Sequence, residues 1–159
     1  MKELIGIAEQ VAAKLIARKQ TIAVAESSTG GLIAASLLAV PGASAYFLGG
    51  AVVYTRDARR ILMDISDDAM KGIRSASEPY AKLLANQVRT RFATDWGLSE
   101  TGATGPTGNR YGDAAGHSCM AVAGVASDVM TLETASSDRQ ANMQEFAKTA
   151  LGLLLKNLG

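Results

Sequence analysis

The stretch Thr21-Ile22-Ala23-Val24-Ala25-Glu26-Ser27-Ser28-Thr29-Gly30-Gly31-Leu32-Ile33-Ala34-Ala35-Ser36-Leu37-Leu38 holds a strand, a turn and a helix in one short run. Thr21 to Ala25 is an apolar, β-branched run without polar alternation, which suits a strand buried on both faces. Glu26 to Gly31 is small, polar and glycine-containing, and Leu32 to Leu38 is an apolar helix stopped by Pro41-Gly42. A strand feeding a helix through such a turn places free backbone N–H groups and a helix N-terminus beside a ligand.

The same alternation runs outward from this core. Leu4, Ile7, Ala8, Val11, Leu15 and Ile16 recur at helical spacing and predict an amphipathic helix over 3–18. Downstream, Tyr46 to Thr55 reads as a second strand. Residues 56–63 read as a short helix with a basic outer face, and 66–73 as another short helix capped by Ser66. Ser77-Glu78-Pro79 opens a longer helix to about Phe92, with proline in its first turn. Trp96 to Glu100 is a brief strand before the loop Thr101-Gly102-Ala103-Thr104-Gly105-Pro106-Thr107-Gly108. His117–Gly124 and Val129–Ala135 form a strand pair, and Arg139–Leu158 is the closing helix. Helices before, between and after strands predict one domain over 1–159, a three-layer α/β/α sandwich with a mixed sheet.

Composition narrows the function. Sixteen basic and fifteen acidic residues give a net charge of +1, and aromatics are 5% of the chain. Neither a basic stripe nor a stacking platform is available, so no nucleic-acid partner is expected. No apolar run reaches the length of a membrane span, and the amphipathic start is not an export segment. With a single cysteine, Cys119, the chain is expected to be cytoplasmic. No His/Cys/acid cluster has metal-ligand spacing, so neither metal nor other cofactor is expected.

Two glycine-rich loops, Ser27–Gly31 and Thr101–Gly108, each follow a strand and are candidates to build one pocket. Neither has the glycine spacing of a dinucleotide fingerprint or the closing lysine of a P-loop. Ser27 leaves a strand and enters a helix, where backbone amides can stabilise an oxyanion. A serine nucleophile also needs a base. His117 is the one histidine and lies far along the chain, where it reads as a core or rim residue.

Ala25-Glu26-Ser27-Ser28-Thr29-Gly30-Gly31 resembles the Ala-Glu-Ser-Cys-Thr-Gly-Gly signature of the CinA C-terminal domain family. Val40-Pro41-Gly42-Ala43-Ser44-Ala45, Gly49-Gly50 through Tyr54, Ser77-Glu78, Thr101 to Pro106 and Asp138-Arg139 resemble further blocks of that family, in the same order. The resemblance implies an α/β/α domain, often a homodimer, acting on a small nucleotide-like substrate. The implied activity is nicotinamide mononucleotide deamidation, an amidohydrolase reaction releasing nicotinate mononucleotide and ammonia in pyridine nucleotide salvage. By similarity Ser27 would be the nucleophile, and the backbone of Ser28 to Gly31 would hold the oxyanion. Tyr54 would line the site and assist proton transfer, Glu26, Thr29, Thr104 and Gly105 would contact substrate, and Arg139 would face the phosphate.

The chain departs from that pattern at one decisive place. The family's deamidases carry a lysine five residues after the tyrosine, in Tyr-Ser/Thr-Asn-Glu-Ala-Lys; here Tyr54-Thr55-Arg56-Asp57-Ala58-Arg59 puts Arg59 there. A desolvated lysine can lose its proton and act as a base, whereas arginine stays charged, so Arg59 at this catalytic position could bind a phosphate or carboxylate but would not deprotonate Ser27. Ser28 also replaces the signature cysteine. Ala114-Ala115-Gly116-His117-Ser118 stands where the family has Pro-Val-Gly-Thr-Val, which raises the idea of His117 as a substitute base. Two readings therefore stand: an amidohydrolase using Ser27, or a catalytically impaired nucleotide-binding module of the same fold. A purely structural role leaves Glu26, Ser27, Thr29 and Tyr54 without a purpose.

Overall fold

In the computed structural model, which describes residues 1–159, strand β1 (Ile22–Glu26) sits inside the sheet with every residue buried. It pairs in parallel with β2 (Phe47–Val52) on one side and β3 (Trp96–Ala103) on the other. β3 then pairs antiparallel with β4 (His117–Gly124), and β4 antiparallel with β5 (Asp128–Glu133). The order β2-β1-β3-β4-β5 is thus a mixed sheet, parallel on one half and antiparallel on the other.

Side-chain alternation along β1 divides the core in two. Ile22 and Val24 join the cluster under helices α1 (Lys2–Arg18), α2 (Leu32–Leu38) and α5 (Arg139–Leu158). Ala23 and Ala25 face the opposite layer, made by α3 (Arg56–Met63) and α4 (Glu78–Phe92). A strand buried on both faces cannot alternate apolar with polar, which is why its sequence is continuously apolar. The result is the expected α/β/α sandwich.

The helices start and stop where their chemistry dictates. Ser77 accepts a hydrogen bond from the Tyr80 amide, and Asp138 from that of Ala141, so α4 and α5 are both capped. α1 ends at Lys19 in a left-handed conformation. α4 packs against β3 with Ala85 and the Arg89 stem directly over Gly97. A Cβ on Gly97 would lie 2.2 Å from the Ala85 carbonyl oxygen, so only glycine permits this approach.

Several local expectations are corrected. The helix predicted over 66–73 is a single 3-10 turn, Asp68–Met70. Ser66 does cap it through the Ala69 amide, but Gly72 takes a positive φ and ends any propagation. β2 stops at Val52, short of Thr55, because Thr55 turns outward to cap α3. β3 continues through Thr101-Gly102-Ala103, which pair with Cys119, Ser118 and His117, so the second loop begins only at Thr104. β5 runs Asp128–Glu133, and Ala135, at positive φ, lies outside it. No helix is long and apolar enough to cross a membrane.

Candidate active site

β1 has β2 on one side and β3 on the other, reached by connections that leave in opposite directions. Its C-terminal end is therefore a topological switch point, where open α/β sheets form ligand crevices. Ser27 to Gly31 occupy that end.

Two buried carboxylates organise the turn. Glu26, 1% exposed, aims its side chain at the start of α2. It accepts from the amides of Gly31 at 2.8 Å, Ile33 at 3.1 Å and Ala34 at 2.9 Å, and from the Thr29 hydroxyl at 2.7 Å. The unpaired N–H groups of the helix start are thereby satisfied by the protein itself. Glu100, fully buried on β3, approaches from the other side. It accepts from the Ser27 amide at 3.0 Å, the Thr29 amide at 3.1 Å and the Thr29 hydroxyl at 3.0 Å, and also from the hydroxyls of Ser28 and Ser118. Burial pushes its carboxyl above the usual range, and the Ser28, Ser27 and Thr29 donors only partly oppose that. Glu100 is absent from the residues that sequence reasoning singled out.

These contacts decide what the turn can offer a ligand. Of the residues expected to touch substrate, Glu26, Thr29, Gly30 and Gly31 line no cavity, and the Gly30 amide donates to the Ser27 carbonyl. The Ser28 amide is the one N–H in the turn with no protein partner. It sits immediately after Ser27, where an oxyanion donor would be needed.

The Ser27 side chain opens into a cavity of about 450 Å³ whose wall includes Tyr54, Arg59, Tyr80, Thr101 and Arg110. Arg59 decides its character. The helical turn of α3 places Arg59 and Met63 on the inner face and leaves Arg56 and Arg60 in solvent, where they pair with Asp67 and Asp57. Only part of the expected basic face is therefore outward. Arg59 is 7% exposed, lies over the Tyr80 ring at 5.4 Å, and has one long hydrogen bond, 3.5 Å to the Ser75 hydroxyl. No carboxylate pairs with it, and no acid lines the cavity. Burial raises the Tyr80 phenol above its ordinary range, opposed in part by Arg59.

A shallower depression of about 270 Å³ adjoins this cavity and gathers Ser28, Tyr54, Thr104, Gly105 and Arg139. Arg139 donates to the Gly105 carbonyl and, at 3.4 Å, to the Tyr54 hydroxyl. Thr104 is buried and its carbonyl accepts from Asn142. The two glycine-rich loops thus meet around Tyr54.

His117 is not part of this constellation. Its Nδ1 faces the Glu133 carboxylate, its Nε2 the Ala76 carbonyl at 2.7 Å, and Asp113 lies 3.6 Å from Nε2. Both ring nitrogens thus face partners of their own, and His117 lines no part of the Ser27 cavity. Burial of the ring works against its charge, but Glu133, the Ala76 carbonyl and Asp113 outweigh burial and raise its value above the ordinary 6.5. A histidine more easily protonated when folded stabilises the fold fully below pH 6.5 and loses that contribution as pH rises through the raised value. Urea denaturation across this window should show wild-type stability falling with pH, and His117→Gln should flatten the slope. Equal slopes in the two proteins would refute the assignment.

A mixed-sheet α/β/α domain with a serine-bearing strand-to-helix turn at a switch-point cavity is the class of fold and site that these residues define. Residues 5–158 match the CinA C-terminal domain model, and the chain belongs to that family. A CinA-like protein of Gloeobacter violaceus is 42% identical over 118 residues, covering 74% of this chain and 28% of the relative. One from Desulforapulum autotrophicum is 34% identical over 158 residues, covering 99% and 37%. The chain therefore spans well under half the length of these relatives. Among solved structures, a CinA superfamily protein from Klebsiella pneumoniae superposes with a TM-score of 0.91 at 24% identity, covering 98% of this chain and 97% of that one. The competence/damage-inducible protein CihA of Agrobacterium tumefaciens gives 0.87 at 24%, covering 97% and 94%.

Proposed function

We propose that the Ser27 cavity is a nicotinamide-nucleotide site of amidohydrolase design in which the base has been replaced. It binds nicotinamide mononucleotide-type ligands and hydrolyses them feebly or not at all. The observation that carries this reading is the buried, acid-free guanidinium of Arg59 in the wall of the serine's own cavity. Hydrolysis would require the Ser27 hydroxyl to attack the carboxamide carbon, lose its proton, and expel ammonia to leave an ester that water then cleaves. Arginine holds its proton at any working pH and cannot take the one Ser27 must lose. His117 is engaged by Glu133 and the Ala76 carbonyl and lines no part of the cavity. Ser27, Tyr54, Ser28, Thr104 and Arg139, which line the cavity and the depression beside it, would then serve binding alone.

A competent amidohydrolase is the second reading. It is favoured by the unpartnered Ser28 amide beside Ser27, an oxyanion donor of the kind catalysis uses. One assay separates the two. Wild-type protein and Ser27→Ala are incubated with nicotinamide mononucleotide, with ammonia release and ligand binding followed together. We expect saturable binding, and ammonia release by wild type no faster than by the variant. Ser27-dependent turnover at an enzymatic rate would establish the second reading, and absence of binding would remove both.

A further inference from the structure

Arg59 is a cation without a counter-charge in a place where leaving it so is costly. Its side chain is withdrawn from solvent, and an unpaired buried charge is among the least favourable groups a fold can carry. Its Cζ lies 5.4 Å from the Tyr80 ring centroid, and the N–H edge of the guanidinium is its polar outlet. That edge has only the distant Ser75 hydroxyl. Arg110, also in the cavity wall, bonds the Tyr111 hydroxyl at 3.1 Å and likewise has no acid partner. Arg56 reaches the same wall with its charge shared with Asp67 outside it. The cavity wall therefore carries three arginines and no acid, and the most deeply buried of the three shares that wall with Ser27.

We infer that Arg59 is a carboxylate receptor, and that the cavity selects ligands bearing a planar carboxylate over the matching carboxamide. A guanidinium edge presents two parallel N–H donors that match the two oxygens of a carboxylate. A carboxamide offers one oxygen and turns an NH2 group, itself a donor, toward the same edge. Combined with the nucleotide reading above, on which the ligand's identity rests, this makes the domain a binder of the acid form of the pyridine nucleotide. It would take the product of a deamidation carried out elsewhere rather than the substrate of its own.

The test uses two matched pairs: nicotinate mononucleotide against nicotinamide mononucleotide, and benzoate against benzamide. Dissociation constants are measured by NMR titration at constant ionic strength with wild type, Arg59→Met and Arg59→Lys. Arg59→Met keeps an unbranched stem against Tyr80, and its folding is checked by thermal melting; Arg59→Lys, combined with Ser27→Ala so that it cannot consume the amide, removes the fork and leaves an amine that is only partly charged. We expect wild type to prefer the acid of the nucleotide pair by about tenfold or more. Arg59→Met should bring that ratio to within about twofold, and Arg59→Lys should lie between. Equal binding of both nucleotides by wild type overturns the inference while leaving the nucleotide reading standing. An acid preference that survives in Arg59→Met overturns it. So does an equal weakening of both nucleotides in that variant, which would place their phosphate on Arg59. If neither nucleotide binds but benzoate is preferred to benzamide through Arg59, the nucleotide reading fails and the carboxylate receptor stands. No binding of any of the four overturns both.

Discussion

Glu100→Ala is expected to destabilise the domain by about 4 kcal/mol or more, while Glu100→Gln costs about 1 kcal/mol. The alanine variant removes the acceptor of two backbone amides and leaves them buried beside the Ser28, Thr29 and Ser118 hydroxyls. Each stranded buried donor costs about 1–3 kcal/mol, and the hydroxyls can rotate to recover only part of it. Thr101 offers Ser118 a carbonyl at 3.3 Å, and Glu26 offers Thr29 a carboxylate. The amides of Ser27 and Thr29 have no such alternative, so the turn carrying Ser27 should loosen first.

Glutamine is expected to behave differently because burial raises the Glu100 carboxyl above its ordinary range and so lessens the cost of a neutral group there. The site holds no cation, and Thr29 has a single hydroxyl proton to share between Glu100 and Glu26. A glutamine can keep its oxygen toward the Ser27 and Thr29 amides and turn its NH2 group to the serine hydroxyls, which accept as well as donate. Sign follows from the raised value. A carboxyl protonated more readily in the folded than the unfolded chain weakens the fold as pH rises from 4.5 through that value. The difference in unfolding free energy between wild type and Glu100→Gln should therefore change across that interval and level off above it. Urea titrations at several pH values measure it. A glutamine variant as unstable as the alanine one would show that Glu100 is held as a carboxylate instead.

How far such a site is legible in a sequence depends on how local its determinants are. The turn after β1 announces itself because strand, glycines and helix are contiguous, and Ser27 is then singled out by position alone. α4 and α5 are equally plain, since Ser77, Pro79 and Asp138 mark their starts within a few residues. Glu100 is different. It resembles an ordinary polar strand end, and the groups that make it indispensable lie 71 to 73 residues away across the sheet. Glu26 misleads for a related reason, because an acid in a polar turn suggests a ligand contact. Its actual targets are helix amides up to eight residues ahead, which only the folded turn brings within reach. The inward aim of Arg59 had a local signal in Met63, one helical turn further on, but three arginines in five residues suggested a solvated face. β3 was cut short because Thr101-Gly102-Ala103 has the composition of a loop, and only pairing with β4 holds it extended.

Arg59→Lys is expected to create Ser27-dependent release of ammonia from nicotinamide mononucleotide, about 10²-fold or more above wild type. The substitution exchanges a permanently protonated group for one whose pKa follows its surroundings. Those surroundings favour the neutral amine. The position is screened from solvent, Tyr80 offers an aromatic face and no charge, and the cavity wall carries Arg56 and Arg110 but no acid. Desolvation and neighbouring cations both lower a lysine's pKa, so a usable share of neutral amine exists near neutral pH. The rest of the machinery is in place: the Ser27 hydroxyl opens into the cavity, and the Ser28 amide beside it is unpartnered. Lysine is shorter than arginine, so it must reach Ser27 from the α3 backbone without the guanidinium's extra length; Arg59→His at the same position serves as a second base of different reach. The gained activity should rise with pH as the new base loses its proton, and it should vanish in the double variant with Ser27→Ala. Ammonia release that stays at the wild-type level in both Arg59→Lys and Arg59→His would show that the missing base is not what silences Ser27. Activity that survives Ser27→Ala would remove the serine from the chemistry altogether.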